Sequence, residues 1–244
     1  MEQHSHKEIA ALEQSNWWYA TRRSILRNLL ERFAPTADTA LDVGCGVGSN
    51  YSVISESALK VIGLDISQDA LDTTLAPYDE KVLASVEKMP LPDESVDIVV
   101  CFDVLEHVDD RVATKDVFRV LRPGGTAFIT VPAFDSLWNE NDDYGHHLRR
   151  YRKSEIVSVL KESGFELPYV NYWNRFPFFP VVWVVARFYK RGVKKENLRN
   201  NLSLIPNWLN PLLILWMHIE NAIARVIPLP FGVSLVVVAR KKKS

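Results

Sequence analysis

Short apolar runs alternate along this chain with segments whose apolar residues recur at helical spacing. The runs near 40–44, 60–65 and 81–84, then Val96–Phe102, 126–132, Phe165–Tyr172 and Ser234–Arg240, read as strands. Between them the spacing predicts helices over 8–33, 48–57, from Ser67 to before Pro77, from Asp109 or Asp110 to Leu121, and over Ser154–Ser163. In the first helix Ile9, Leu12, Ile25, Leu29 and Phe33 are apolar positions, and Trp17-Trp18-Tyr19 interrupts it. Ser67 and the Asp109–Asp110 pair carry short oxygen-bearing side chains that can accept from the free N–H groups of a first helical turn. Pro123-Gly124-Gly125 and Gly164 are the corresponding stops. Strand alternating with helix predicts an α/β fold: a doubly wound, mostly parallel sheet of seven strands with helices on both faces.

Two segments break this rhythm. One is 134–151, after the fifth strand. The other is 174–231, before the last strand, and it is unusually apolar: Phe176-Pro-Phe-Phe-Pro-Val-Val-Trp183, a basic run, then Trp208-Leu-Asn-Pro-Leu-Leu-Ile-Leu-Trp-Met217. A helix over 208–227 would place Leu209, Leu212, Leu213, Trp216, Ile219, Ile223 and Val226 near one face, with Leu215 and Met217 widening the apolar surface. Arg187, Lys190, Arg191, Lys194, Lys195 and Arg199 lie between the two apolar stretches, and Arg240–Lys243 adds a basic tail. Such a segment suits peripheral contact with an anionic membrane surface, a homodimer interface, the wall of a lipid pocket, or extra core. The chain therefore divides into an N-terminal helical cap (1–35), a core (36–173), an apolar helical insertion (174–231) and a last strand with basic tail (232–244), all within one domain.

Length and composition narrow the function classes. A chain of 244 residues with 47% hydrophobic residues can bury one large α/β core. Lys and Arg (29) nearly balance Asp and Glu (30), so no nucleic-acid partner is expected. Two cysteines make no disulfide framework; Cys45 and Cys101 are expected reduced and packed. The polar N-terminus shows no secretory signal, and no apolar run is long enough to span a bilayer, which points to the cytoplasm with membrane association left open.

Candidate chemistry gathers at the strand ends. Ala40-Leu-Asp-Val-Gly-Cys-Gly-Val-Gly48 is a buried strand feeding a glycine turn, where the missing Cβ lets a ligand approach the backbone. About twenty residues on, Val61-Ile-Gly-Leu-Asp65 ends in an acid, the spacing at which a carboxylate can accept from ribose hydroxyls. The spacing Gly44-x-Gly46-x-Gly48 departs from the Gly-x-Gly-x-x-Gly of dinucleotide folds, whose third glycine would fall at Ser49, so a nicotinamide oxidoreductase is disfavoured.

With Leu121-Arg-Pro-Gly-Gly-Thr-Ala-Phe-Ile-Thr130 and Phe102-Asp-Val-Leu-Glu-His107, these elements resemble the Rossmann-like (class I) S-adenosylmethionine-dependent methyltransferases, in a bacterial type-11-like subset. The resemblance covers 13–173 and, more loosely, the last strand. It implies S-adenosylmethionine as cofactor. It puts Gly44, Cys45 and Gly46 around the methionyl and ribose region, Asp42 toward the ligand's ammonium, and Asp65 with Ile66 on the ribose side. Ser85 stands where the family usually carries an Asp for the adenine amine, beside the Val86 amide. Phe102 and Asp103 are implied at the methionyl end, with Arg23 or its neighbour Arg22 on the carboxylate. His107 and His147 are the implied catalytic groups; Trp18, Arg149, Arg150 and Tyr151 are the implied acceptor contacts. The expected reaction is methyl transfer to an O or N atom of a small or lipid-linked acceptor. A methyltransferase fold serving as a silent scaffold is the alternative, and no metal is expected.

Overall fold

The structure, a computed structural model, describes residues 13, 16–176, 178–188, 207–224 and 230–243. Seven strands form one sheet: β1 (Ala37–Val43), β2 (Ala58–Asp65), β3 (Glu80–Leu83), β4 (Val96–Phe102), β5 (Leu121–Pro132), β6 (Glu166–Trp173) and β7 (Ser234–Arg240). Their spatial order is β3-β2-β1-β4-β5-β7-β6. Pairing is parallel from β3 through β5, whereas β7 runs antiparallel to both β5 and β6. The chain thus winds outward from β1 in one direction and from β4 in the other, so a crevice opens beyond the carboxyl ends of β1 and β4.

Eight helices accompany the sheet among the described residues: α1 (Trp17–Phe33), α2 (Tyr51–Ile54), α3 (Gln68–Thr73), α4 (Asp110–Val120), α5 (Glu140–Gly145), α6 (Lys153–Glu162), α7 (Phe178–Phe188) and α8 (Asn210–Ala224). Strand side chains alternate between two cores, as the pleat requires. Leu41, Val43, Val99, Cys101 and Ile129 pack on one face with Val117 and Leu160 of α4 and α6. Ala40, Ile98, Val100, Phe128 and Val236 pack on the other with Leu26 and Leu30 of α1 and Met217 of α8. Every residue of β4 except Asp97 is buried, the mark of a central strand covered on both sides.

Three elements differ from the sequence expectation. Trp17-Trp18-Tyr19 opens α1 instead of interrupting it, because Asn16 caps the helix by accepting from the Trp18 N–H at 2.9 Å; residues 8–12 lie outside the described part. The helix predicted over 48–57 is a single turn, since β2 already begins at Ala58. Pro123-Gly124-Gly125 is not a stop before β5 but lies within it: Val96 pairs with Leu121 and Ile98 with Thr126, two steps on β4 against five on β5. The ladder survives the irregularity because Gly124 N–H donates to the Lys241 carbonyl and Lys241 N–H to the Gly125 carbonyl, both at 2.9 Å.

The insertion helix α8 turns most of its large apolar side chains outward. Asn210, Met217 and Glu220 face inward, while Leu212, Leu215, Trp216, Ile219 and Ile223 are exposed. Met217, expected to widen the outer apolar surface, is fully buried instead. The polar residues are the anchors: Asn210 Oδ1 accepts from Trp17 N–H at 3.2 Å. The Glu220 carboxylate accepts from the N–H groups of Arg175 (2.9 Å) and Phe176 (2.8 Å), just before α7. These donors have no partner within a helix, so a buried carboxylate from α8 holds the entry to α7 in place. The basic residues Lys190–Arg199 and Val226 lie outside the described residues. Among those described, no helix is long and apolar enough to cross a membrane.

Candidate active site

β1 delivers the glycine turn. Gly44 and Cys45 N–H groups donate to the Leu64 carbonyl at 2.7 and 3.0 Å, which folds the turn back over the end of β2. Gly44 has φ +66°, and a Cβ there would come within 2.6 Å of Val104 Cγ2, so the turn and the segment after β4 fit only with glycine at this position. Asp65, at the end of β2, braces the turn: Oδ2 accepts from Gly46 N–H at 2.9 Å and Oδ1 from Ser67 N–H at 2.8 Å. A carboxylate has about four acceptor positions, so two remain for ribose hydroxyls. Ile66 next to it is 75% exposed, an apolar surface at the mouth of the crevice.

Asp42 is fully buried beneath the turn. It accepts from Tyr78 Oη at 2.7 Å and from Asn50 Nδ2 at 3.4 Å. Burial pushes its carboxyl up to about 6, against the lowering effect of those two donors. Tyr78 and Asn50 carried no signal in the sequence; they are found only through Asp42. Cys45 and Cys101 are both free and buried, and burial pushes both thiols up.

Ser85 forms a local turn, donating to Glu87 Oε2 at 3.1 Å and accepting from Glu87 N–H at 3.2 Å; Val86 is buried beside it. Glu87, which the sequence reading passed over, supplies a carboxylate next to the position where an Asp was missed. Arg23 lies on the other side of the turn in a cleft of about 320 Å³ with Glu13, Val47, Gly48, Ser49 and Tyr51. Its Nη1 donates to the Glu13 carbonyl at 2.8 Å. Arg22 instead reaches the end of β4, where Nη1 donates to Asp103 Oδ2 at 2.8 Å and the guanidinium lies over the Phe102 ring. Trp18 packs against Trp173 with ring centroids 4.9 Å apart.

Beyond Asp103 the chain makes a 3-10 turn, Leu105–His107. Its residues meet those of the loop after β5. The rings of His107 and His147 are perpendicular with centroids 4.9 Å apart. Burial, then His147, lowers the His107 pKa. Asp142 gathers this loop: it accepts from His147 Nδ1 (2.9 Å), from Arg150 Nε and Nη2 (2.7 and 2.9 Å) and from Asn139 N–H (2.7 Å). Burial acts to raise the Asp142 carboxyl, but the His147 and Arg150 contacts hold it below the usual range. Arg150 and Tyr151, expected as acceptor contacts, are buried and spend their polar atoms inside the protein. Arg150 Nη1 also donates to the Ala133 carbonyl, and Tyr151 Oη meets Asp110 Oδ2 at 2.9 Å and the Leu105 carbonyl at 3.1 Å. Arg149 is half-exposed and donates to Asp110 at 3.0 Å. The cluster is thus a brace tying the loop after β5 to the turn after β4, with His147 and Arg149 at its outer edge.

A seven-stranded sheet with one antiparallel strand, a glycine turn after β1 and a braced acid after β2 define a class I methyltransferase fold. Residues 41–129 match a methyltransferase domain family. A Mycolicibacterium smegmatis protein named "Probable S-adenosylmethionine-dependent methyltransferase" is 31% identical over 66% of this chain and 64% of its own length. A Mycobacterium tuberculosis protein of the same description is 30% identical over 65% of this chain and 59% of its own length. The chain therefore spans about three fifths of the length of these curated relatives. Among solved structures, a SAM-dependent methyltransferase from Archaeoglobus fulgidus superposes with TM-score 0.59 at 15% identity, covering 96% of this chain and 99% of that one. The [4+2]-cyclase SpnF superposes with TM-score 0.58 at 17% identity over 93% and 82%. Residues 41–129 thus carry the methyltransferase domain, and over about two thirds of its length the chain is similar to S-adenosylmethionine-dependent methyltransferases.

Proposed function

We propose that this protein transfers the methyl group of S-adenosylmethionine to an O or N atom of a small or lipid-linked acceptor. The observation that carries the reading is the Asp65-braced glycine turn at the point where the strand order reverses, within the matched family segment. The sulfonium is already an activated donor, so the protein's work is alignment: the turn and Asp65 hold the cofactor, and the acceptor enters over the turn after β4. Fold alone would not carry this, since a cyclase shares it.

The lipid-linked form of the acceptor is supported by the outer face of α7 and α8. Val181, Trp183 and Val184 of α7 and Leu212, Leu215, Trp216 and Ile219 of α8 are all exposed, while the polar anchors point inward. That inversion suits an apolar surrounding, and Trp residues favour the boundary between lipid and water. A Synechocystis relative, 31% identical over 52% of this chain, is named as a 2-methyl-6-phytyl-1,4-hydroquinone methyltransferase, an enzyme whose acceptor bears a lipid-like chain. The test is transfer of isotope-labelled methyl from the cofactor into fractionated polar and lipid extracts, followed by mass spectrometry of the product. Label in a lipid fraction supports the reading; cofactor binding with no transfer to any fraction overturns it in favour of a scaffold.

A further inference from the structure

Among the described residues, no hydrogen-bond donor meets the carboxylate of Glu106. It is fully buried, and neither of its oxygens receives a hydrogen bond. A carboxylate in that position is strongly destabilised unless it stays protonated or a cation faces it. The cations nearby are spent: Arg22 is paired with Asp103, and Arg150 with Asp142 and the Ala133 carbonyl. Glu106 is the acid left over.

Two imidazoles face it. His147 Nε2 lies 4.0 Å from Glu106 Oε1, too far for a hydrogen bond. One ligand atom from each of Glu106, His107 and His147 lies within 4.8 Å of the others. Ligands about 2.1 Å from one ion sit roughly 3–3.5 Å apart, so closure asks for side-chain shifts on the order of an ångström. Both rings are already oriented. His147 Nδ1 is held by Asp142 Oδ1 at 2.9 Å, which directs Nε2 toward Glu106, and the His107 ring packs perpendicular to it with centroids 4.9 Å apart. A histidine anchored through one nitrogen, with the other free to bind, is the usual surrounding of a metal ligand. The backbone is strained around the same spot. Asp103 and His146, two of the five non-glycine residues with positive φ among those described, lie three residues before Glu106 and next to His147 (φ 56° and 59°). Strain of this kind persists where surrounding structure enforces it, commonly at functional sites.

We propose that Glu106, His107 and His147 bind a divalent transition-metal ion of the zinc type, which takes an oxygen of the acceptor as its next ligand. Two imidazoles and one carboxylate suit zinc and its first-row neighbours over magnesium or calcium, which prefer all-oxygen surroundings. Three protein ligands leave a position open for substrate. The ion site stands on the geometry alone; its acceptor role rests on the methyl-transfer reading above. In that role a coordinated acceptor hydroxyl gives its proton to solvent, made easier by the ion's charge. The oxygen then forms a bond to the methyl carbon while the carbon–sulfur bond breaks. The bonding pair returns to sulfur, which leaves as the neutral thioether of S-adenosylhomocysteine. The ion thereby reverses the expectation of a metal-free site and casts both histidines as ligands instead of proton acceptors.

The test is titration of chelator-treated full-length protein with zinc by calorimetry, and with cobalt(II) by visible absorption, which reports coordination by nitrogen and oxygen. One equivalent should bind to wild type. Glu106→Gln and the double variant His107→Gln/His147→Gln should each lose at least a hundredfold in affinity and the cobalt spectrum with it. Loss in these variants is the supporting result, because the sequence holds six histidines in all. Binding of S-adenosylhomocysteine, measured on the same samples, reports whether each variant is folded; if one is not, the other decides. Zinc affinity unchanged in both folded variants, or no zinc bound by wild type while S-adenosylhomocysteine binds, overturns the site and leaves the methyltransferase reading intact. Stoichiometric zinc whose removal leaves methyl transfer unchanged overturns the acceptor role.

Discussion

Replacing Asp65 probes the proposed cofactor site most directly, and the structure shows why even an isosteric change should be harmful. Both carboxylate oxygens already accept a backbone N–H, from Gly46 on one side and Ser67 on the other. In Asp65→Asn one oxygen becomes an NH2 that faces an N–H donor, so the amide cannot hold the turn and helix entry together. Asp65→Ala removes both acceptors, although water can reach the partly exposed N–H groups and soften the cost. A hydrogen bond to a charged group is worth about 1.5–3 kcal/mol, and the ribose hydroxyls would lose at least one such bond. At 1.4 kcal/mol per factor of ten, this predicts roughly 10- to 150-fold weaker binding in both variants. Calorimetry with S-adenosylmethionine and S-adenosylhomocysteine measures it, with circular dichroism as the check on folding. Asp65→Asn binding like wild type would refute the reasoning, since it would mean that neither the brace nor the charge contributes. Tighter binding of a nicotinamide dinucleotide would refute the cofactor itself.

Three further outcomes are expected. Arg150→Ala leaves the fully buried Asp142 carboxylate with only the His147 and Asn139 donors, and urea unfolding should show a loss of about 3 kcal/mol, the lower end of the cost of breaking one half of a buried pair. Asp42 has a folded pKa raised to about 6, so the protonated form is favoured on folding; its contribution to stability is largest below about pH 4 and is lost as pH rises through 6. Relative to Asp42→Asn, wild type should therefore lose on the order of 3 kcal/mol between pH 4 and 7, read from paired denaturant curves. Liposome flotation should show binding that weakens at high salt without vanishing, and Leu212→Ser with Trp216→Ser should reduce it further, because both side chains are exposed on α8. A protein that stays in the soluble fraction at every lipid composition would remove the membrane contact.

Much of the fold was legible because it is written in local pattern. A seven-strand count, the apolar run that becomes β4 and the glycine turn follow from apolar periodicity and from what a backbone without Cβ can do. Asp65 was legible for the same reason: its distance along the chain from the turn is fixed by one strand–helix–strand unit. The cap at Asp109 was one of two adjacent candidates, and the structure selects it because its carboxylate reaches the Arg111 and Val112 N–H groups. Where local reading failed, a distant partner had overruled it. Pro123-Gly124-Gly125 signals a stop, yet pairing with Lys241 carries the strand through it.

The sequence by itself determined the alternation of strand and helix, the glycine turn after β1 and the acid that ends β2. These depend on neighbours within a few residues, whose backbone geometry and hydrogen bonds each residue type constrains. Only the tertiary structure decided that His107 meets His147 across forty residues of chain, that Arg150 is spent on Asp142, and that Glu106 meets no hydrogen-bond donor among the described residues. It also turned α8 so that Asn210 and Glu220 point inward and its apolar residues outward. Such outcomes depend on which buried charge finds which partner, and that is settled by packing of segments far apart in sequence, where no periodicity records it.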